Sequence, residues 1–422
     1  MNLTPKEGYA LMNLLVDEAT GVNGTISVVD TSSFVSAGET VMATGKENVL
    51  NALSIVIGRT LIMVDSYDDK FKIISEEDSS LFDQRVRSIL FYDDKALPAG
   101  NWNTDLHTNL AEGYDNGSNS GASVASMWEQ HRKKALELNF AGMVVWDYGL
   151  TLDDDAFKVA FTDVNTFTEF VSGILTEVEN DIKSEKEAFR RMIFLNRLAE
   201  SINNEASFGT AVNLTSAFNT KFRTSYTSEQ LRTTYLKEFL GFFVAYVKNL
   251  SNSLTYRSKK YHNPHTITES NKEYNILTHT KKSSQKLVLY NPLFIESEAY
   301  VMPEIFNDKY LKLENFEGVD FWQNIENPSA IKVTPTAIVN GAQTTGDTVD
   351  ASYIVGAIFD DRAVRAGTFL ERVNTTPLEA RKNYRNTWWH IAKKSYDNDC
   401  FAFITFYMAD GEGTKTTKRS SK

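Results

Sequence analysis

The chain has 422 residues, a hydrophobic fraction of 42% and a formal net charge of −11. This is ample apolar sequence for a large core, and the charge argues against a dedicated nucleic-acid binder while allowing a container for DNA, where a basic surface would be a liability. The single cysteine, Cys400, excludes an internal disulfide and fits a reducing cytosol.

The N-terminus MNLTPKEGYALMNLL lacks the basic segment and small-residue cleavage site of a secretory signal. The most apolar helical run, residues 240–247, is far short of the ~20 residues that span a bilayer. With 26 Phe, 18 Tyr and 6 Trp, the chain requires large buried areas or extensive subunit contacts, where aromatic residues are enriched.

Thr4-Pro5-Lys6-Glu7 has capping-box spacing with proline at the first helical position, and predicts a helix ending near Gly21. The Ser/Thr/Gly/Val stretch from there to Ala43 is polar and poorly periodic, and reads as loose chain. Thr44-x-x-Glu47 then opens a second helix through Leu50, Leu53 and Ile57 to Gly58. Two helices with little core of their own read as an arm that packs on something else, or as a small helical subdomain.

From Thr60 to Tyr148 the pattern changes to strands, at residues 61–64, 71–74, 85–92 and 143–148. Between them, residues 95–121 are long and turn-rich, which predicts a hairpin-like projection with a flexible tip. Residues 151–165 lead into a long helix. Asp153, Asp154 and Asp155 there read as a solvated turn or helix start, since no EF-hand spacing follows.

Residues 166–203 read as one uninterrupted helix, with Thr166 and Glu169 spaced as a capping box. Phe167, Val171, Ile174, Val178, Ile182, Phe189 and Ile193 recur on one face. Glu179/Lys183 and Glu187/Arg191 have the order favoured for exposed pairs. At ~1.5 Å per residue this helix is on the order of 55 Å long, against an average of about 11–12 residues for a helix in a soluble domain. It needs something long to lie against.

Residues 213–252 read as helical again, with Thr227-x-x-Gln230 starting a run whose aromatic and aliphatic residues cover nearly every side. After a polar stretch to Ser284 come a short strand at 286–290, a helix opened by Met302-Pro303, and strands at 337–339 and 353–359. This is a mixed region of about one domain's length. Residues 388–393 and 398–408 read as dense aromatic strands whose face the long helix should cover. The tail GEGTKTTKRSSK reads as disordered.

No GxSxG elbow, P-loop, GxGxxG or HExxH is present. Of the six histidines only His262 and His265 are close, and the proline between them disfavours a helical metal pair. Cys400 reads as a core residue. No catalytic, cofactor-binding or metal-ligating residue is predicted, and no cofactor; the chain is not read as an enzyme.

The order of parts is a helical arm, a long β-excursion, a long helix, a mixed domain and a closing sheet segment. This order resembles the major capsid proteins of tailed bacteriophages with the HK97 fold, and is similar to versions in short-tailed phages of the phi29 type and their gut-phage relatives. Two stretches carry the likeness. LDDDAFKVAFTDVNTFTEFVSGILTEVENDIKSEKEAFRRMIFLNRLAES resembles the run-in and spine helix, and RVNTTPLEARKNYRNTWWHIAKKSYDNDCFAFITFYM the late P-domain strands.

The resemblance implies an α+β, HK97-like capsid fold. Its parts would be an N-terminal arm at 1–59, an E-loop at 60–150, a P-domain with the spine helix at 151–212, an A-domain at 213–367, closing P-domain strands at 368–410 and a flexible tail at 411–422. It implies a shell subunit that forms hexamers and pentamers with itself through E-loop and N-arm contacts, in a virion capsid assembled in the host cytoplasm. A separate scaffold, a portal and decoration or auxiliary capsid proteins would be its partners, with double-stranded DNA enclosed but not specifically bound and no membrane. Some members cross-link lysine to asparagine between subunits; Lys95 has no matching asparagine–glutamate constellation here. Outside this resemblance, the aromatic Trp102 and Trp388–Trp389 would suit a soluble α/β ligand-binding protein or enzyme, and an encapsulin-type shell is a near relative of the capsid reading.

Overall fold

In a computed structural model, the structure describes residues 5–21, 28–43, 70–76, 85–93, 133–141, 144–153, 164–269, 272–295, 315–339, 342–377, 384–411 and 415–417. The chain divides into two compact units.

The first unit comprises residues 1–84, 142–193 and 365–395. Helix Pro5–Thr20 starts on its proline and stops at Gly21, whose φ of 69° takes the left-handed conformation that ends helices. A second helix, Thr31–Ala43, falls in the stretch read as loose chain. Its start is held by Asp30 and Ser33, since the Ser33 N–H donates to Asp30 Oδ1 (2.7 Å) and the Asp30 N–H to Ser33 Oγ (3.0 Å). Phe34, Ala37 and Val41 are buried at three- and four-residue steps. The two helices meet through Tyr9 and Phe34, with ring centroids 6.4 Å apart. The expected helix from Thr44 and the expected strand at 61–64 lie outside the described residues. Residues 71–74 are not a strand. Phe71 stands at φ 60°, which turns the chain into a 3-10 turn at Lys72–Ile74 before the short strand Ser75–Glu76.

A four-stranded sheet orders Ser75–Glu76, Val364–Thr375, Tyr384–Asp397 and Val144–Asp153. Val144–Asp153 pairs antiparallel with Tyr384–Asp397 over ten positions, from Asp153↔Tyr384 to Val144↔Lys393. Asp153 therefore ends a strand, where the sequence suggested a turn or helix start. One face of this sheet is covered by the long helix, which runs from Val164 to Asn203. Tyr148 Oη donates to Asp181 (2.6 Å), and Lys393 lies over Phe189 at 5.3 Å and 3.9 Å from Glu185. Thr166 is inside the helix, two residues past its first. The two acid–base pairs of this helix both form, but not on an exposed face: Glu179 and Glu187 are buried. Glu179 pairs with Lys183 at 2.7 Å; Glu187 pairs with Arg191 and also accepts the Lys70 N–H at 3.0 Å. The Arg191 guanidinium lies 5.2 Å over the Phe71 ring, so Phe71 and the chain at Lys70 close over what sequence spacing alone marks as solvent-facing.

The second unit comprises residues 85–141, 194–364 and 396–422. Its centre is a five-stranded sheet ordered Ala211–Asn213, Phe403–Tyr407, Ile354–Asp360, Gln285–Tyr290 and Phe316–Val319. Every residue of Ile354–Asp360 and Phe403–Tyr407 is buried, because helices cover both faces and alternation gives way to a continuous apolar run. On one face, Phe194 from the end of the long helix meets Phe403 at a tilt (5.6 Å) and Phe359 edge-on (5.8 Å), and stacks on Trp322 (6.1 Å). On the other, Phe406 meets Phe243 of helix Leu236–Leu254 edge-on at 5.6 Å. Gly356 is required where two strands close: a Cβ there would lie 2.3 Å from the Val288 carbonyl oxygen.

The expected helical run at 213–252 is divided into helices Leu214–Phe222, Ser228–Arg232 and Leu236–Leu254. Asn213 caps the first, and Thr227 and Gln230 form the expected capping box of the second. The helix expected from Met302 lies outside the described residues. Lys415–Thr417, in the stretch read as a flexible tail, pair antiparallel with Thr348–Ala351 and extend the Ile331–Val333 ribbon to three strands. A strand edge with unpaired backbone groups gives a polar segment a place to bond that its own composition does not reveal.

Candidate functional site

Strands Arg85–Phe91 and Ala135–Ala141 of the second unit pair antiparallel in strict register, Arg85↔Ala141 to Phe91↔Ala135. They form a two-stranded sheet without a third strand among the described residues. Such a ribbon is marginal alone. Leu90, Leu136 and Leu138 anchor it to a cluster of Tyr92, Ile276 and Cys400. The opposite face carries Arg87 paired with Glu137 at 2.8 Å, with Ile89 and Phe91 left 44% and 58% exposed. Both are large side chains at alternate positions of one strand face, which is the pattern of a surface awaiting cover. The stretch between these strands, 94–132, where the flexible tip was expected, lies outside the described residues.

In the first unit the sheet face opposite the long helix carries Trp388, His390, Asp147, Thr151 and Asn386. His390 Nδ1 is 2.5 Å from Asp147 Oδ1, His390 Nε2 is 3.0 Å from Asn374, and Thr151 Oγ1 donates to Asn386 at 2.8 Å. Trp388 lies flat across Gly149, where a Cβ would be 2.7 Å from its ring. Val144 and Val145, at the start of the neighbouring strand, are exposed. Trp389 is buried on the helix side, with its ring 6.1 Å from Tyr148. Trp388 and Trp389 therefore point to opposite faces and make no shared aromatic platform, and Trp102 lies outside the described residues.

The chemistry-bearing residues of the second unit gather at the turn 397–400. Arg197 is buried with Nε 3.3 Å from Asp397 Oδ1 and Nη1 3.0 Å from Glu200. Burial works against its charge, but Asp397, Glu200 and Asp399 outweigh it and hold the guanidinium charged. Asp397 Oδ1 is shut off from solvent although 28% of the side chain is exposed. Burial, with Glu200 and Asp399 beside it, pushes the Asp397 carboxyl up against the pull of Arg197. Asp399 receives His265 Nε2 (2.8 Å) on one oxygen and Asn263 Nδ2 (2.8 Å) on the other. These bonds and Arg197 overcome burial and hold its carboxyl below the usual range.

His265, Asp399 and Cys400 offer donor atoms within 4.8 Å of one another, the only such trio among the described residues. Their chemistry is that of a hydrogen-bonded turn: both Asp399 oxygens are engaged, and burial pushes the Cys400 thiol far above its ordinary range, so it stays protonated. Cys400 is a buried core residue, as read from the sequence, but sits in the turn before the strand.

A broad groove of about 1120 Å³ runs past Asn213, Asn219, Tyr226 and Tyr407. Its carboxylates are engaged, Glu205 by Tyr407 Oη (2.8 Å) and Asp410 by the Ser228 N–H (2.5 Å), and it holds no nucleophile–base pair. No described helix is long and apolar enough to cross a membrane. Sequence reasoning did not foresee the Arg197 cluster. The one available signal was acidic density in Asp397-Asn-Asp399, and nothing local ties it to residues 197 or 265.

No known family model matches the sequence, and no curated protein matches it. Solved structures do match. A chain in the capsid structure of Staphylococcus phage Andhra aligns over 82% of this chain and 86% of its own length, with a TM-score of 0.51 and 12% identity. A chain in a structure of the head fiber and inner core protein of native bacteriophage P68 aligns over the same shares, with a TM-score of 0.48 and 12% identity. The first likeness shows the fold: the chain is α+β, with the HK97-like capsid fold.

Proposed function

We propose that this chain is the major capsid protein of a tailed phage, a non-enzymatic subunit that self-assembles into hexamers and pentamers of an icosahedral head shell around double-stranded DNA. The observation that carries the reading is the fold, which aligns with a chain in a phage capsid structure over 82% of the sequence. The ribbon of strands Arg85–Phe91 and Ala135–Ala141 supports it, because Ile89 and Phe91 stay exposed on one face and a neighbouring subunit would bury them. So does the net charge of −11, since an inner wall should not hold phosphate tightly.

In this reading residues 1–59 strap a neighbour, the excursion within 60–150 lies over another, and 151–212 with 368–410 form the peripheral domain. Residues 213–367 meet their equivalents at the capsomer centre, and 411–422 form the tail. Assembly takes place in the host cytoplasm, with a separate scaffold, a portal and auxiliary head proteins as partners; no cofactor or metal takes part.

Negative-stain images and sedimentation of the purified chain, with and without its neighbouring gene products, test the reading. Rings or closed shells are expected. A uniform monomer of about the chain's 47.6 kDa under every condition refutes it.

A further inference from the structure

The two histidines of HNPH sit in opposite surroundings. His262 is buried, with Nδ1 3.1 Å from the Lys260 carbonyl oxygen and Nε2 2.9 Å from that of Ile276, and burial holds its proton affinity below the ordinary value. His265 is half-buried against Asp399, and that hydrogen bond raises its proton affinity in spite of burial. Around it, Asp397, Asp399 and Glu200 set three carboxylates against one fixed cation, Arg197. A charged His265 supplies the second cation; a neutral one leaves the excess of negative charge uncompensated in a largely buried place.

The turn that carries two of these carboxylates, Asp397 and Asp399, also seats the ribbon of strands Arg85–Phe91 and Ala135–Ala141. Asn398 Nδ2 donates to Ser88 Oγ (3.3 Å), and Cys400 closes the apolar cluster with Tyr92 and Ile276. Beyond the ribbon's first strand, the Tyr92 and Asp93 N–H groups donate to Lys134 (3.0 Å) and Asn275 (2.8 Å). We infer that the 397–400 turn is a proton-responsive clasp for this ribbon, firm while His265 carries its charge and loosened when it does not. The inference concerns the single subunit and stands whether or not the chain builds a shell.

The sign follows from the groups themselves. His265 binds its proton more tightly folded than unfolded, so its contribution is complete below the unfolded value and lost as pH rises through the folded one. Asp397, with its carboxyl pushed up, moves the same way, because ionising it adds a further buried negative charge. Asp399 acts only at the acid end, where its protonation removes the partner of His265. The remaining groups facing the turn are Tyr92 and the Asp93–Arg257 pair (3.3 Å) from the ribbon side, His262, and Arg362, which lies over Phe401 and is bound to Asp360. Burial pushes the Tyr92 phenol and the Cys400 thiol upward, out of the neutral window.

Hydrogen exchange of the Tyr92 and Asp93 amides in the full chain, corrected for the intrinsic pH dependence of exchange, tests the clasp between about pH 5.5 and 8.5, a window set around the ordinary histidine value. Protection should fall several-fold towards the alkaline end, up to about tenfold for each unit by which the folded His265 exceeds its ordinary pKa. His265→Gln should lower protection at the acid end and reduce that dependence to the part carried by Asp397, and His279→Gln, at an exposed histidine outside the cluster, should keep it in full. Constant protection in the parent chain, or an unchanged dependence in His265→Gln, overturns the inference. Should His265→Gln fail to fold, the His265 ring titration in the parent chain decides: a midpoint at or below about 6.5 overturns the clasp, and one clearly above it supports it.

Discussion

Phe194, near the end of the long helix, is packed in the core of the second unit, and truncating it gives a sharp test of that packing. The side chain has no exposed surface and lies within 5.6–6.1 Å, centroid to centroid, of Phe403, Phe359 and Trp322. Phe→Ala in a packed core costs about 3–5 kcal/mol, the transfer term plus the cavity left behind. Three aromatic partners on rigid strands and a loop cannot collapse into the space, which places Phe194→Ala near the upper end, at about 4 kcal/mol. Native stability is typically only about 5–15 kcal/mol, so this is a large fraction of the whole. In urea, with a slope of about 3 kcal/mol/M, the midpoint should fall by about 1.3 M. Trp322 is fully buried beside the deletion, so its emission reports the transition directly. Met192→Ala, two residues earlier on the same helix and more than half exposed, should change stability by no more than about 0.5 kcal/mol. A loss below about 1 kcal/mol for Phe194→Ala, or equal losses for the two variants, would refute the packing argument.

Thr227→Ala removes the hydroxyl that accepts the Gln230 N–H and should cost about 1 kcal/mol in chemical denaturation, with Thr227→Ser recovering most of it. Gly356→Ala forces a methyl against the Val288 carbonyl and should cost about 1–3 kcal/mol or leave the chain insoluble; a stable, soluble variant would mean that the two strands can part there. Tyr148 has its phenol pushed up to about 12 by burial and by its hydrogen bond to Asp181, so the ordinary ionisation near 10 is resisted in the folded state. Stability from this group is lost as pH rises from 10 towards 12, and Tyr148→Phe should lower that alkaline loss in thermal melts. Deleting residues 96–120 should leave a folded subunit by circular dichroism while impairing shell closure; particles like those of the parent chain would remove the proposed role of the excursion.

Features written in local spacing were legible without a structure. The long helix announces itself through repeated three- and four-residue steps, and a helix satisfies its own backbone, so its length follows from the chain alone. The Thr227–Gln230 capping box and the proline start at residue 5 are likewise contacts between near neighbours. Helix Thr31–Ala43 was missed because its Ser/Thr-rich composition has weak helix propensity, and only the steps between Phe34, Ala37 and Val41 reveal it. At the candidate surfaces, the expected strand at 85–92 closely matches Arg85–Phe91, but which of its faces is buried depends on Cys400 and Ile276, hundreds of residues away.

By itself, then, the sequence determined the long helix, the Thr227 capping box, several of the strands, and that the chain is acidic and carries no recognised catalytic motif. Only the tertiary structure decided that Val144–Asp153 runs on to Asp153, because its length is set by pairing with Tyr384–Asp397. It also decided that Glu179 and Glu187 are buried with their partners, and that Arg197, His265 and Asp399 share one charge cluster. Backbone hydrogen bonds within a helix join residues four apart, whereas strand partners, burial and charge compensation are settled by whatever the fold brings alongside.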